Sequence, residues 1–178
     1  PAHIGAGSGR VRLGVEGTIL GGFVYKVEAD FSDGLELTDA HLTYKEGGLK
    51  VTVGQHNNFQ SLEELSSSND TSFIERSAFT DAFGFERKVG VSAEVKAGDA
   101  LLQAGVFTDN ISDLSGANDS IGLDGRIVFA PKVGDTQLHL GGSAHWRDLG
   151  DNIASVRYRQ RPLIHSVSTR FINTNQIA

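Results

Sequence analysis

The stretch Phe23-Val-Tyr-Lys-Val-Glu-Ala-Asp-Phe31 decides the class of this fold. Phe23, Tyr25, Val27, Ala29 and Phe31 take one set of alternate positions, and Lys26, Glu28 and Asp30 take the other. In an extended chain successive side chains point to opposite faces, so a period of two separates an apolar face from a charged one. The alternation recurs in residues 10–18, where Val11, Leu13 and Val15 oppose Arg10, Arg12 and Glu16. It returns in 36–45, 48–55 and 85–97, the last setting Val89, Val91, Ala93 and Val95 against Lys88, Ser92, Glu94 and Lys96. Segments 100–109, 119–130 and 135–147 complete the set. They predict about eight antiparallel strands, each near the roughly ten residues that cross a bilayer at a tilt.

The connectors differ in length by side. Gly21-Gly22, Gly47-Gly48, Gly98-Asp99 and Gly134-Asp135 mark short turns. Long connectors run over about 56–84, 110–118 and everything after 147, all on the other edge, which also carries the short Ser32-Asp33-Gly34 turn. One-sided long loops are a habit of outer-membrane barrels. Phe23, Phe31, Tyr44, Phe83, Phe85, Phe129 and Trp146 near strand ends fit interfacial girdles. A soluble sandwich would alternate as well. Within the first long connector, Ser61-Leu-Glu-Glu64 and Ser72-Phe-Ile-Glu75 match the capping box and predict helical turns over 61–66 and 72–80. A partly helical loop of that length needs a task, and in a wide barrel the natural one is to fold inward and narrow the lumen.

Composition excludes several classes. There is no cysteine, hence no disulfide or thiolate chemistry. No run approaches the roughly 18 apolar residues of a transmembrane helix, and no targeting segment opens the chain. Methionine is absent even from position 1, which predicts a processed or cut chain. His139 and His145, on one strand face, are too far apart to share a metal, and no nucleophile–base–acid set or phosphate-cradling glycine loop is present. No enzymatic activity, cofactor or metal is expected. An isoelectric point of 5.4, without a basic face interleaved with aromatics, speaks against nucleic acid.

One segment departs from the acidic balance. Residues 1–150 hold 12 Lys and Arg against 21 Asp and Glu, whereas residues 151–178 hold four Arg against one Asp. Val156-Arg-Tyr-Arg-Gln-Arg-Pro162 places Arg157, Arg159 and Arg161 two residues apart, with Arg170 beyond. In extended backbone such neighbours lie about 6.6 Å apart. They repel by roughly 0.6 kcal/mol per adjacent pair in water and more at lower dielectric. Either carboxylates elsewhere in the fold or an anionic ligand must compensate.

The succession of motifs resembles a known family. Gly14-Val-Glu-Gly-Thr18, Tyr25-Lys-Val-Glu-Ala-Asp-Phe31, Glu36-Leu-Thr-Asp-Ala-His-Leu-Thr-Tyr-Lys45 and Val53-Gly-Gln-His56 are followed by Ser61-Leu-Glu-Glu-Leu-Ser-Ser-Ser-Asn-Asp70 and Phe73-Ile-Glu-Arg-Ser77. His145-Trp-Arg-Asp-Leu-Gly-Asp151 and the arginine run continue it. Together they are similar to the phosphate-selective porins O and P of Gram-negative outer membranes. The resemblance implies an all-β, antiparallel transmembrane barrel, of which about eight strands of a 16-stranded whole are present as an internal fragment. It implies a passive channel for phosphate or related anions, assembled as a homotrimer in the lipid bilayer. Residues 1–178 would be one partial barrel domain, 56–84 an inward constriction loop and 148–178 an inward arginine-bearing loop.

Site roles follow from the same resemblance. Ser66, Ser67, Ser68 and Arg76 would belong to the constriction loop and its anion site. Arg157, Arg159 and Arg161, with Arg170, would form a ladder drawing anions inward, and Arg10 and Arg12 would sit near the constriction. Lys26, Lys50, Lys88, Arg126 and Arg147 are expected to face the lumen, paired with Glu28, Glu94, Asp124 and other wall carboxylates. The alternative is a complete eight-stranded outer-membrane barrel serving as an anchor or adhesin. Such barrels are filled by side chains, which leaves no room for two inward loops and many lumen charges.

Overall fold

The computed structural model describes residues 5–7, 10–32, 34–67, 70, 76–114, 120–150, 155–160 and 169–177. Strands β1 (Gly5–Gly7), β2 (Arg10–Ile19), β3 (Phe23–Asp30), β4 (Glu36–Glu46) and β5 (Leu49–Asn57) come first. Helices α1 (Leu62–Leu65) and α2 (Ala78–Phe83) lie in the connector that follows. Then come β6 (Arg87–Ala97), β7 (Ala100–Phe107), β8 (Ile121–Phe129), a ribbon of β9 (Lys132–Val133) with β10 (Thr136–Gln137), and β11 (Leu140–Asp148). A last ribbon pairs β12 (Arg159–Gln160) with β13 (Ile172–Asn173).

Nine of these strands form one antiparallel sheet in the order β1-β2-β3-β4-β5-β6-β7-β8-β11, an uninterrupted meander. Among the described residues β11 hydrogen-bonds only to β8, so the sheet keeps two open edges. Seven of the eight long strands fall where alternation places them. The eighth differs: the expected strand over 135–147 begins at Leu140, because residues 132–137 turn back as the β9–β10 ribbon and Leu138 donates its amide to the Pro131 carbonyl.

The turns on the short edge are built by backbone that only glycine adopts cheaply. Gly47 and Gly48 have φ of 54° and 92°, the two positive values that a tight hairpin needs to match strand twist. A Cβ on Gly48 would also lie 2.7 Å from the Lys96 carbonyl oxygen.

Register turns the alternation of single strands into rows across the sheet. Tyr25, Leu42, Val53, Val91, Val106, Leu123 and Trp146 stand opposite one another in succession. One residue along, Thr43, Thr52, Ser92, Gly105, Asp124 and His145 form the next row, on the other face. A slip of one residue in any strand would exchange the two faces there, so the rows fix the register.

The faces are inverted relative to a water-soluble domain. Val53, Val91, Val106, Leu123 and Trp146 are 45–55% exposed, and Ile127 is 62% exposed. Thr43, Thr52, Ser92, Gln103, Asp124 and Arg126 are buried, and the buried large apolar side chains among the described residues are Phe59, Phe85, Phe107 and Val128. Fully burying a Val, Leu or Ile is worth about 1.5–3 kcal/mol, so each half-exposed one forgoes roughly 1 kcal/mol. Over roughly a dozen such residues the deficit is on the order of 10 kcal/mol, as large as the net stability of an ordinary domain. Such a face calls for an apolar medium.

The polar face is filled by ion pairs and a folded connector. Lys26 meets Asp39 at 2.7 Å and Glu28 at 3.5 Å, and Arg87 meets Asp39 at 2.9 Å. Arg126 donates to Gln103 at 2.7 Å, which donates to Glu94 at 2.6 Å. The expected pairing changes in three places: Lys88 and Arg147 share Asp109, from the β7–β8 connector, while Asp124 pairs with His145; Arg126 meets the neutral Gln103; and among the described residues no carboxylate lies within ion-pair distance of Lys50. Phe59 and Gln60 carry the long connector down onto this face. Phe59 packs edge-on to Phe107, and Gln60 donates to Asp124 at 3.1 Å and to the Ala144 carbonyl at 2.9 Å.

Candidate functional site

The connector between β5 and β6 is braced from within. Ser61, with φ of 59°, makes no side-chain cap, so the capping box expected over Ser61–Glu64 does not form. Its glutamates are used otherwise. Glu63 accepts the Ser77 amide at 2.9 Å on both oxygens and the Thr80 hydroxyl at 3.4 Å, tying α1 to the start of α2. Burial opposes the charge of Glu63, yet these hydrogen bonds outweigh it and hold the carboxyl below its ordinary range. Glu64 is buried against Arg76 at 3.2 Å, and there burial prevails over the cation and pushes the carboxyl up. The second capping box, Ser72–Glu75, lies outside the described residues.

α2 carries an aromatic cluster. Phe79 lies 5.1 Å from both Phe83 and Phe85, centroid to centroid, and Phe83 stacks on Phe85 at 5.8 Å and 16°. Phe83 then reaches Tyr158 of the arginine segment at 5.2 Å. Phe83 and Phe85, expected as girdle aromatics, therefore belong to the connector's own aromatic cluster. Phe23, Phe31, Phe129 and Trp146 stay exposed.

Between α2, the polar face of β11 and the β12–β13 ribbon lies an open cleft of about 860 Å³. Arg147 and His145 line it from the wall, Phe79 and Phe83 from α2, and Arg157, Arg159 and Arg170 from the far side. Arg157 donates to the Asn173 side chain at 2.9 Å and to the Thr174 carbonyl at 3.0 Å, both neutral acceptors. Among the described residues no carboxylate lies within ion-pair distance of Arg157, Arg159 or Arg170. The wall cations Arg12, Lys26, Arg87, Lys88 and Arg147 each have one, while Arg126 meets the neutral Gln103.

The sequence-predicted residues are thus sorted. Arg157, Arg159 and Arg170 come together around one cleft. Arg76 spends its guanidinium on Glu64 and the carbonyls of Glu63 and Ser66, and the Ser66 hydroxyl returns to the Leu62 carbonyl at 2.8 Å. Ser67 accepts the Asp70 amide through its carbonyl. Arg12 pairs with Asp30 at 3.0 Å and Glu28 at 3.6 Å, near the sheet edge opposite β11. Arg161, Ser68 and the side chain of Arg10 lie outside the described residues. Sequence reasoning missed Phe79, Phe83 and His145 as cleft residues. The only signal was the density of aromatics from Phe79 to Phe85, which alternation assigned to a girdle.

Residues 5–178 match the family described as phosphate-selective porin O and P. The chain belongs to that family. It is also similar to an uncharacterized protein of Caulobacter vibrioides, 50% identical over 181 aligned residues that cover 96% of this chain and 37% of the relative. The chain therefore spans little more than a third of that relative's length. In a porin the inverted faces acquire their meaning. Exposed valines and leucines suit lipid, and buried, ion-paired polar residues suit a wet interior.

Proposed function

We propose that this porin is a passive outer-membrane channel for phosphate or related anions, with the arginines of residues 148–178 as its anion pathway. The observation that carries the reading is the contrast in pairing. The wall cations Arg12, Lys26, Arg87, Lys88 and Arg147 are each matched by a carboxylate, whereas among the described residues no carboxylate lies within ion-pair distance of Arg157, Arg159 or Arg170, which gather around an open cleft. Guanidiniums replace the hydration of an oxyanion with bidentate hydrogen bonds, and several similar sites in sequence pass the ion on without trapping it. Arg161 is included through its place in the ladder. Residues 56–84 would act as the constriction loop, with Arg76, Ser66 and Ser67 bracing it. Closure into a 16-stranded barrel, a Gram-negative outer-membrane location and a homotrimer belong to the same proposal, and the two open sheet edges leave room for further strands.

The test uses the full-length protein in planar bilayers. Changing Arg157, Arg159, Arg161 and Arg170 to Gln should raise the phosphate concentration that half-blocks chloride current by at least about tenfold, since each lost charged hydrogen bond is worth about 1.5–3 kcal/mol. Anion over cation selectivity should fall as well, and the difference should shrink near 1 M salt, where screening cuts the field to about 3 Å. Unchanged block and reversal potential would assign the run a structural role.

A further inference from the structure

The cleft holds more than inorganic phosphate requires. A small, strongly hydrated oxyanion needs donors, and aromatic faces beside them give it nothing. Yet Phe79 and Phe83 line the same cleft as Arg157, Arg159 and Arg170, and they are 54% and 51% exposed although they sit over the polar face of the sheet. The cluster reaches the arginine segment directly, since Tyr158, between Arg157 and Arg159, packs on Phe83. The apolar faces and the cleft arginines are therefore held together by one contact. At about 860 Å³ the cleft lies within the range of sites that take drug-sized molecules and is far larger than one phosphate.

We propose that this cleft binds an organic oxyanion with an aromatic ring, the anionic end on Arg157, Arg159 and Arg170 and the ring against Phe79 and Phe83. The proposal rests on the anion-channel reading and narrows its substrate class to aryl phosphates and their like. Rings prefer offset-stacked or edge-on partners at 4.5–7 Å, the spacing the cluster already uses within itself. A ligand of this class meets both halves of the cleft at once, whereas inorganic phosphate leaves the aromatic half facing water.

The experiment compares methyl phosphate with phenyl phosphate as blockers of chloride current through the full-length porin in planar bilayers. The two carry the same charged group and differ in the ring. Phenyl phosphate should half-block at a concentration about tenfold lower, the scale of one aromatic contact. In the Phe79→Ser, Phe83→Ser protein the two values should converge. Should that protein fail to insert, the Phe79→Leu, Phe83→Leu form, which keeps apolar bulk without a ring face, should show the same convergence. Equal block by both phosphates in the unsubstituted porin would overturn the proposal and leave the anion channel standing. So would a phenyl preference that survives removal of both rings. If neither phosphate blocks, the anion-channel reading fails and takes this proposal with it. Benzyl alcohol, a ring without the charge, should not block, and block by it would overturn the part given to the arginines.

Discussion

Phe59 stands edge-on to Phe107, their ring centroids 6.0 Å apart at 84°, on the polar face of the sheet. The Phe107 ring is 1% exposed and occupies a bed of two glycines, since a Cβ on Gly90 or Gly105 would come within 2.6 Å of it. This is the apolar rivet that fastens the β5–β6 connector to the wall.

Loss of the rivet should free the connector without dissolving the sheet. Phe→Ala at a buried site costs about 3–5 kcal/mol, charged here mainly to docking of the connector. Phe107→Ala should give a channel that inserts, conducts more and fluctuates more. Gly105→Val should do the same by displacing the ring. Single-channel recordings check both, and quiet, unchanged conductance in both would show that the connector is held elsewhere.

Gln60 supplies the polar half of the same anchorage. Gln60→Leu removes the donor to Asp124 and to the Ala144 carbonyl, leaving buried acceptors short of partners at about 1–3 kcal/mol. Limited proteolysis within 58–86 should accelerate, with cleavage of the strands unchanged.

Acid should loosen the connector through Glu63. Its folded carboxyl lies below the ordinary value, so its contribution is fully present above that value and is lost as pH falls through the folded one. Current fluctuations should therefore grow as pH falls through the ordinary glutamate range and below it, and Glu63→Gln should show them already at neutral pH. Glu64, pushed up by burial, contributes with the opposite sign, so Glu64→Gln should leave the acid effect in place.

The two faces should respond differently to charge. Val91→Arg or Leu123→Arg puts a guanidinium on the exposed apolar row, at about 2–4 kcal/mol if the row lies at the bilayer midplane. Lys50→Glu alters the opposite face. The arginine proteins should fail to reach the heat-modifiable folded form in lipid, while Lys50→Glu folds and shifts the reversal potential toward cations. Equal folding of all three would contradict the assignment of faces.

What the sequence disclosed was whatever depends on near neighbours. Alternation around Val27, Val91 and Leu123 is a property of a few consecutive residues, and so are the glycine pairs of the short turns. The β9–β10 ribbon was hidden because Gln137, Leu138 and His139 keep the alternation of the strand that follows, while the Leu138 amide closes a local bond. The arginines that gather at the cleft were visible as a charge run, but it was not visible that no carboxylate among the described residues would lie within ion-pair distance of them. Pairing depends on residues such as Asp109, which serves Lys88 and Arg147 from 21 and 38 residues away. Ser61 shows the limit most clearly. Its motif promises a cap, and tertiary demand turns Glu64 toward Arg76.

In the meander every long strand pairs with the long strand next to it in the chain, so contacts stay local, and even the long β5–β6 connector adds to the closure cost only logarithmically. The connector between β5 and β6 is made early in the chain, but its holdfasts come late. Phe59 waits for β7, and Gln60 waits for both Asp124 on β8 and Ala144 on β11, the latter 84 residues on. The wall can therefore be laid down strand by strand before the connector is fastened to it. In the proposed channel, where that connector is the constriction, narrowing would be the last act of assembly, postponed until the strands that must hold the loop exist.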